Sequence, residues 1–234
     1  MGLMSGTSLD GIDAALVETD GEGVAVPGPA LTLPYDLPTQ VMLRAALGDA
    51  KEVAEGEPVP YAIRHVERRL TEIHAKAVSQ LLRKAGLSPK DVSLIGFHGQ
   101  TILHRPEQRW TWQIGDGALL ARLTGIPVVN DFRSSDVKAG GQGAPLVPLY
   151  HAALVREAKS LTPPIAMINI GGVANVTYVG RDEILAFDTG PGNAPIDDWA
   201  HRHTGKPVDE DGVLARRGKV DDGALTDMLD HEFF

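Results

Sequence analysis

The sequence contains no cysteine, and this absence excludes disulfide bonds, thiolate metal sites and a cysteine nucleophile. Aromatic residues make up only 5%, and 31 Asp and Glu residues outnumber 22 Lys and Arg residues, which gives a net charge of -9. This acidic balance argues against a surface that binds nucleic acid or an anionic membrane. The sequence also has no apolar run of membrane-spanning length and no signal peptide at its start, so we expect a cytoplasmic globular protein.

Several common catalytic motifs are also absent. The pattern Gly-x4-Gly-Lys-Ser/Thr does not occur, which excludes a P-loop enzyme, and no GxGxxG follows a predicted strand. His201 and His203 lack the neighbours of a known metal-binding motif, so we predict no metal site made by protein side chains. The pair at 197–198 is acidic and could assist Mg²⁺, but acidic residues in the first turn of a helix also have a simple dipole explanation.

The most informative stretch runs from residue 184 to residue 199. Four apolar residues predict a short buried strand, and Asp188 lies where that strand ends. A glycine-rich turn follows, and a helix can begin near Ala194 because Pro195 is tolerated in a first turn. A carboxylate, bare glycine backbone and a helix N-terminus therefore converge, which suits a sugar hydroxyl or a phosphate. The alternative is that Asp188 only caps the turn.

Two hairpins in the sequence resemble each other in pattern. An apolar lead at 1–4, a Gly/Ser/Thr loop at 5–11 and a strand at 12–18 predict the first hairpin, whose backbone N–H groups and hydroxyls can hold phosphate oxygens. A strand at 165–168, a small-residue loop at 169–175 and a strand through Val179 predict the second. Such a pair suits a nucleotide whose phosphates lie between two domains, although each loop alone is also typical of an ordinary hairpin.

The remaining elements provide the scaffold and one polar pocket. Apolar residues three or four apart predict a helix over 60–85, closed by Gly86, with His65 and His74 at solvated or edge positions. A strand at 91–97 is predicted to deliver the sequence HGQT at its end, where ligands gather in open α/β sheets. In the polar loop predicted at 134–145 and just before it, Gln142 and Arg133 are expected to reach a substrate. We predict further helices at 38–47, 117–123, 148–159, 194–203, 213–217 and 223–229, and strands at 30–33 and 125–129.

Seven motifs together resemble one enzyme family. They are MSGTSLDGID at 4–13, GFHGQT at 96–101, QIGDG at 113–117, DFR at 131–133, GGQGAPLVP at 140–148, NIGGVANVT at 169–177 and FDTGPGN at 187–193. In this order they resemble the anhydro-N-acetylmuramic acid kinases, which belong to the sugar-kinase, hexokinase and actin superfamily. The resemblance implies an α/β, actin-like fold of two ribonuclease-H-like domains with ATP held between them. It places the first domain at 1–133, and a linker with an incomplete second domain at 134–234.

The resemblance also implies a reaction, its cofactors and its site residues. The bridge of anhydro-N-acetylmuramic acid would be opened by water and the sugar phosphorylated from ATP with Mg²⁺, which gives N-acetylmuramic acid 6-phosphate for peptidoglycan recycling. Asp188 would be the general base. The residues matching the family's ATP-binding loops are Gly6, Thr7, Ser8, Leu9, Asp10, Gly11, Ile12, Asp13, Gly171 and Gly172. Those in segments resembling its sugar pocket are His98, Thr101, Arg133, Gln142 and Asn193.

The ends of the chain depart from the family pattern. Family members begin with a fuller first strand and continue well past residue 234, so we expect this chain to be shortened at both ends, mainly at the C-terminus. The alternatives are an inactive fragment and a module that binds or hydrolyses sugar without ATP; a hydrolase would need Asp188 to pair with Asp116 or Asp131. The expected partner is the small amino sugar, with no nucleic acid and no membrane, and a homodimer is a candidate assembly.

Overall fold

The computed structural model describes residues 1–158 and 160–230. The chain divides into two compact units, Met1–Glu157 and Ala158–Phe234, which we call the N-terminal and the C-terminal unit. Both combine strands and helices, so the predicted α/β class is confirmed. The domain boundary after Arg133 stays a prediction. None of the helices in the described part of the chain has the length and hydropathy needed to cross a membrane.

A mixed sheet of six strands forms the N-terminal unit. The strands are β1 Gly2–Ser5, β2 Gly11–Thr19, β3 Ala25–Pro34, β4 Ile95–Arg105, β5 Trp110–Ile114 and β6 Val128–Asn130. Their order is β3-β2-β1-β4-β5, with β6 also paired to β4. The predicted hairpin of β1 and β2 is confirmed, and β3 continues it as a third antiparallel strand. β1 and β6 pair with β4 in parallel, so their carboxyl ends lie on either side of Phe97 to Gln100.

Five helices accompany this sheet, and the longest supplies much of the core. They are α1 Leu37–Asp49, α2 Tyr61–Ala85, α3 Gly117–Thr124, α4 Ser134–Ala139 and α5 Pro148–Glu157. The stripe that predicted α2 is confirmed, because Ile63, Leu70 and Leu81 are at most 1% exposed. The helix ends at Gly86, whose left-handed φ of 68° matches the predicted C-terminal cap. The predicted helix at 148–159 is found as α5, although Lys159 lies outside the described residues.

The C-terminal unit contains a three-stranded antiparallel sheet in the order β7-β8-β9. Its elements are β7 Ile165–Ile170, β8 Val173–Val179, β9 Ile184–Pro191, α6 Ala194–Thr204 and α7 Asp222–Leu229, with single 3-10 turns at Glu210–Gly212 and Ala215–Arg217. β9 was predicted as a buried strand ending at Asp188, and this is wrong. It is the edge strand of its sheet, it continues to Pro191, and Leu185 and Phe187 are 51% and 55% exposed.

Three other sequence-based predictions need correction. β4 begins at Ile95 and continues to Arg105, so HGQT lies within the strand, because its second half pairs with the unpredicted β5. The loop predicted from residue 134 begins instead with the six-residue helix α4, which is too short for periodicity to reveal. His74 is fully buried in α2, with Nδ1 2.9 Å from Leu70 O, because it lies on the apolar stripe of the helix.

The left-handed cap of α2 generates a prediction about stability. An added Cβ would meet nothing within 4 Å at Gly86 or at Gly48, but only Gly86 has a positive φ. We expect Gly86→Ala to lower the free energy of unfolding by about 1 kcal/mol, since left-handed backbone penalises a side chain. The matched control Gly48→Ala, in α1, should raise it by about 0.5 kcal/mol. Urea denaturation followed by circular dichroism measures both, and equal effects would contradict this explanation.

Buried His74 generates a prediction about pH. Burial lowers the pKa of His74 from 6.5 to about 4. Between pH 6.5 and pH 4 the unfolded chain therefore binds a proton at this residue and the folded chain does not. His74 therefore leaves the free energy of unfolding unchanged above pH 6.5. As the pH falls from 6.5 to 4, its titration lowers that free energy by about 3 kcal/mol in total. His74→Asn keeps a donor for Leu70 O but does not titrate. Urea denaturation at pH 7 and pH 4.5 should therefore show a smaller pH dependence in this variant, and an unchanged dependence would refute the role of His74.

Candidate functional site

The loop between β1 and β2 presents polar groups on a fixed turn. Leu9 N–H donates to Gly6 O at 3.2 Å, and the buried Leu9 side chain holds the turn against the core. Leu9 adopts a positive φ of 55°. Ser8 Oγ donates to the Asp10 carboxylate at 2.7 Å, while Thr7, Ser8 and Asp10 are exposed. The hydroxyls and carboxylate of the predicted first phosphate loop are thus open to a ligand.

A buried hydrogen-bond network fixes the start of this loop to the sheet. The Ser5 hydroxyl donates to Gln100 Oε1, and it accepts from Tyr35 OH at 2.7 Å. At the other end of the loop, Gly11 is required because a Cβ there would lie 2.6 Å from Leu33 O. Of the two remaining members of the predicted loop, Ile12 is buried, and Asp13 accepts from Thr32 Oγ1 at 2.6 Å. The loop is therefore tied to β4 through Ser5 and Gln100, and it packs tightly on β3 at Gly11.

Two glycines allow β4 and the end of β5 to approach very closely. Gly99 has a φ of 70°, and a Cβ on it would overlap Ile114 O. A Cβ on Gly115 would lie 2.6 Å from the Phe97 ring. Helix α2 holds this contact from one side, because Glu67 Oε1 accepts from Gly115 N–H and Thr71 Oγ1 accepts from Asp116 N–H, both at 3.0 Å. We call this close approach the Gly99–Gly115 crossing.

A polar cluster flanks the crossing, and three of its buried atoms have no hydrogen-bond partner. His98 Nδ1 donates to Gly99 O at 2.9 Å, which leaves Nε2 as an acceptor. Gln113 Nε2 donates to Thr111 Oγ1 at 2.7 Å and lies 3.3 Å from Thr101 Oγ1. His98 Nε2, Gln113 Oε1 and Arg133 Nε are buried and unpartnered within the described residues. Together they offer two acceptors and one donor to a ligand.

Burial and charge keep the imidazoles of this cluster neutral near pH 7. Burial lowers the pKa of His98, and the positive charge of Arg133 lowers it further. The same two causes, in the same order, lower the pKa of His104. Burial also lowers the pKa of Arg133. The cluster therefore combines neutral acceptors with one guanidinium group.

The glycine-rich segment after α4 is held beside this cluster. Asp136 is central, since its carboxylate accepts from Gly143 N–H at 2.6 Å and its carbonyl accepts from Gly141 N–H at 2.8 Å. His104 hydrogen-bonds the main chain of Gln142, whose side chain is exposed. Arg133 thus lies near enough to lower the pKa of both His98 and His104, Thr101 is joined to the cluster through Gln113, and Gln142 has a main-chain contact.

In the C-terminal unit, the second predicted phosphate loop contacts the segment that follows Asp188. Gly192 N–H donates to Gly172 O at 3.0 Å, and Asn193 N–H donates to Gly171 O at 2.7 Å. Asp188 itself is exposed and lies opposite Asn175 in β8, beside an irregularity in the register. Such irregularities redirect neighbouring side chains and are frequent at functional sites. Within this unit the predicted residues Gly171, Gly172 and Asn193 are therefore neighbours.

Three residues of the polar cluster were not singled out from the sequence. Sequence reasoning quoted Gln113 only as part of a motif and missed His104 and Thr111. The available signal was alternation, since Thr111 and Gln113 are the polar residues between Trp110, Trp112 and Ile114 in β5.

Among residues 1–158 and 160–230, no group of three or more His, Asp or Glu side chains is close enough to hold a metal ion.

The fold and these loops define a mixed α/β protein with two small-residue hairpin loops and a polar cluster, and comparisons with known proteins give its family. The sequence profile described as "Anhydro-N-acetylmuramic acid kinase" matches residues 1–234. The chain belongs to this family.

Curated relatives carry the same description. Proteins called "Anhydro-N-acetylmuramic acid kinase" are 55% identical to the chain over its full length in Paramagnetospirillum magneticum, 53% in Rhodospirillum rubrum and 54% in Azorhizobium caulinodans. The chain spans 62%, 60% and 63% of the lengths of these relatives. A solved structure called "Reductive activator for corrinoid,iron-sulfur protein" aligns over 81% of this chain and 31% of its own, with 13% identity and a TM-score of 0.40, and supports no argument.

The contact between the second loop and the Asp188 segment generates a prediction. A Cβ on Gly192 would overlap Gly171 O, whereas a Cβ on Gly172 would lie an ordinary 3.6 Å from Ala194 Cβ. We expect Gly192→Ala to lower the free energy of unfolding by about 1–3 kcal/mol, because backbone must shift to accommodate the methyl group. Gly172→Ala is the matched control and should change it by less than about 0.5 kcal/mol. Thermal denaturation measures both, and comparable losses would contradict the packing argument.

Proposed function

We propose that this chain has the kinase activity named for its relatives. It would open the bridge of anhydro-N-acetylmuramic acid with water and transfer the γ-phosphoryl group of ATP to the sugar, in peptidoglycan recycling. The observation that carries the proposal is the polar cluster, since buried polar atoms without partners are rare unless a ligand or water satisfies them. An actin-like arrangement of two domains, a cytoplasmic location and a homodimer belong to the same proposal.

The sugar is proposed to bind at the polar cluster of the N-terminal unit. Two facts support this: the cluster offers two acceptors and one donor that no group among the described residues uses, and Arg133 brings a positive charge. The proposed sugar carries hydrogen-bond donors in its hydroxyl and acetamido groups, and it carries a carboxylate that a guanidinium can pair with. His98, Thr101 and Arg133 are the residues that would contact it, and Gln142 of the same unit is proposed as a further contact. Asn193, in the C-terminal unit, stays a predicted sugar-binding residue.

ATP is proposed to bind at the two small-residue loops. Gly6 to Asp13 would hold phosphate oxygens through backbone N–H groups and the hydroxyls of Thr7 and Ser8, which are exposed. In the C-terminal unit Gly172 would do the same through its N–H group, and Gly171, whose N–H donates to Val173 O at 3.2 Å, would leave room beside it because it has no side chain. Mg²⁺ bound to the nucleotide would neutralise charge on the transferring phosphoryl group.

Asp188 is proposed as the general base. Its exposed carboxylate would take a proton from water while the water oxygen forms a bond to the anomeric carbon. The bond between this carbon and the bridging 6-oxygen breaks, and its electron pair stays on oxygen. That oxygen then attacks the γ-phosphorus, ADP leaves, and N-acetylmuramic acid 6-phosphate is formed. Atoms and charges balance with the sugar, water and ATP alone.

A coupled assay of ADP release tests this proposal. We expect sugar-dependent release with ATP and Mg²⁺, and a loss of about 100-fold to 10,000-fold in Asp188→Asn, because an amide cannot accept the proton. Asp182→Asn is the matched control, since Asp182 is an exposed carboxylate in the turn before β9, and it should retain activity. Full activity of Asp188→Asn would refute its role as the base.

Two other outcomes would identify a different function. Binding of the sugar without binding of nucleotide would indicate a sugar-binding module that does not use ATP. A folded chain that binds neither would contradict the proposal that this polypeptide is itself a kinase. Calorimetric titration with the sugar and with ATP separates these outcomes.

A further inference from the structure

A directed chain of hydrogen bonds runs along one face of β4 and β5 to Gln113. Burial and then the charge of Arg133 lower the pKa of His104, while its hydrogen bond to the main chain of Gln142 acts in the opposite direction. His104 Nδ1 lies 2.9 Å from Thr111 Oγ1, and the Thr111 hydroxyl donates its only proton to Leu103 O at 3.5 Å.

This direction fixes the amide of Gln113. Because the Thr111 proton is directed at Leu103 O, the Thr111 oxygen accepts from the glutamine, and it receives Gln113 Nε2–H at 2.7 Å. Thr101 Oγ1, 3.3 Å away, lies in reach of the other amide hydrogen. The amide oxygen must therefore point away from these hydroxyls. Oε1 is buried and has no partner among the described residues.

We propose that Gln113 is a sugar-recognition residue whose Oε1 accepts a hydrogen bond from the sugar, and that Thr111 and His104 position it. This rests on the proposed function, since it assumes that the polar cluster binds anhydro-N-acetylmuramic acid. An unpartnered acceptor beside a donor-only guanidinium requires a ligand that both donates and accepts. Two neutral groups of this sugar donate, the acetamido N–H and the hydroxyl at carbon 4, and two acceptors wait in the cluster, Gln113 Oε1 and His98 Nε2.

A cycle of one substitution and three ligands tests the inference. The ligands are the parent sugar, an analogue with an acetoxy group in place of the acetamido group, and a 4-deoxy analogue. Calorimetric titration of the chain with each gives dissociation constants. We expect Gln113→Met to weaken binding of the parent about tenfold, because methionine has a similar shape and a far weaker acceptor. We also expect one analogue to bind the unaltered chain about tenfold more weakly than the parent.

The cycle identifies the donor group. In Gln113→Met, the analogue that lacks the group donating to Gln113 should bind as tightly as the parent sugar. The substitution has already removed the acceptor of that group, so its loss from the ligand has no further effect. Loss of discrimination against the acetoxy analogue would assign the acetamido N–H, and loss against the deoxy analogue would assign the hydroxyl. If both analogues lose the same factor in the unaltered chain and in Gln113→Met, the inference is overturned. Unchanged binding of the parent by Gln113→Met overturns it as well.

The positioning role of Thr111 has its own test. Thr111→Val keeps the shape but removes the hydroxyl, so it should reduce discrimination between the parent and the analogue identified above. Thr111→Ser restores the hydroxyl and should restore that discrimination. A purely structural role would alter thermal stability without this selective recovery. Recovery of stability but not of discrimination in Thr111→Ser would therefore refute positioning.

Controls separate this inference from the proposed function. Gln108→Met makes the same substitution at an exposed residue just before β5, and it should bind all three ligands as the unaltered chain does. Thermal denaturation of every variant verifies folding, and Gln113→Glu, which keeps an acceptor, gives a second measurement if Gln113→Met is unstable. If the unaltered chain binds the parent but the cycle is additive, only the inference fails. If the unaltered chain does not bind the parent, the proposed function fails and the inference with it.

Discussion

The Gly99–Gly115 crossing is the constraint on which the N-terminal unit depends. β4 pairs in parallel with β1 and β6 through its first half and antiparallel with β5 through its second half. At the change of partner the backbone of Gly99 lies so close to Ile114 that no side chain fits there. His98 precedes one glycine and Gln113 lies two residues before the other. The approach that only glycine permits therefore sets the spacing of the polar cluster.

Helix α2 makes this approach stable from the opposite face of the sheet. Its buried stripe packs in the core, and Glu67 and Thr71 accept the backbone N–H groups at and after Gly115. Loss of either bond would leave a partly buried N–H donor without its partner, which costs up to about 1–3 kcal/mol. His74 belongs to the same face and meets the Phe97 ring edge-on at 4.8 Å between centroids. Helix α2 and the polar cluster thus lie against the two faces of β4.

The sequence allowed correct prediction of features that depend on periodicity and on turn chemistry. The apolar spacing in α2 and the glycine that ends it predict that helix almost to the residue. Periodicity fails where tertiary contact decides. His74 is buried because it lies on the apolar stripe of α2, although its polar side chain favours an exposed position. HGQT looked like a strand end because glycine usually breaks strands, and pairing with β5 overrides that tendency.

The candidate site was predictable in part for the same reason. Gly11 and Gly192 belong to sequence motifs, and each lies so close to another part of the backbone that a side chain would not fit. The sequence indicates that such a contact exists but not which residue makes it. Gln113 could not be singled out, because its significance depends on which way an amide faces. That orientation is set by the hydroxyls of Thr111 and Thr101, and Thr111 in turn contacts Leu103 O and His104 in β4. Such a network requires tertiary structure to be recognised, since no member has a distinctive neighbour in sequence.

The two faces of β5 show how one short strand serves both stability and recognition. Trp110 and Trp112 pack against the hydrophobic core, while Thr111 and Gln113 face the polar cluster. Strand alternation makes this division unavoidable, so a shift of pairing by one residue would bury Gln113 in the core and remove the acceptor from the cluster. The tryptophans therefore fix the register that the glutamine needs. The direction in which Gln113 faces therefore depends first on the apolar packing behind β5 and then on its hydrogen bonds to Thr111 and Thr101.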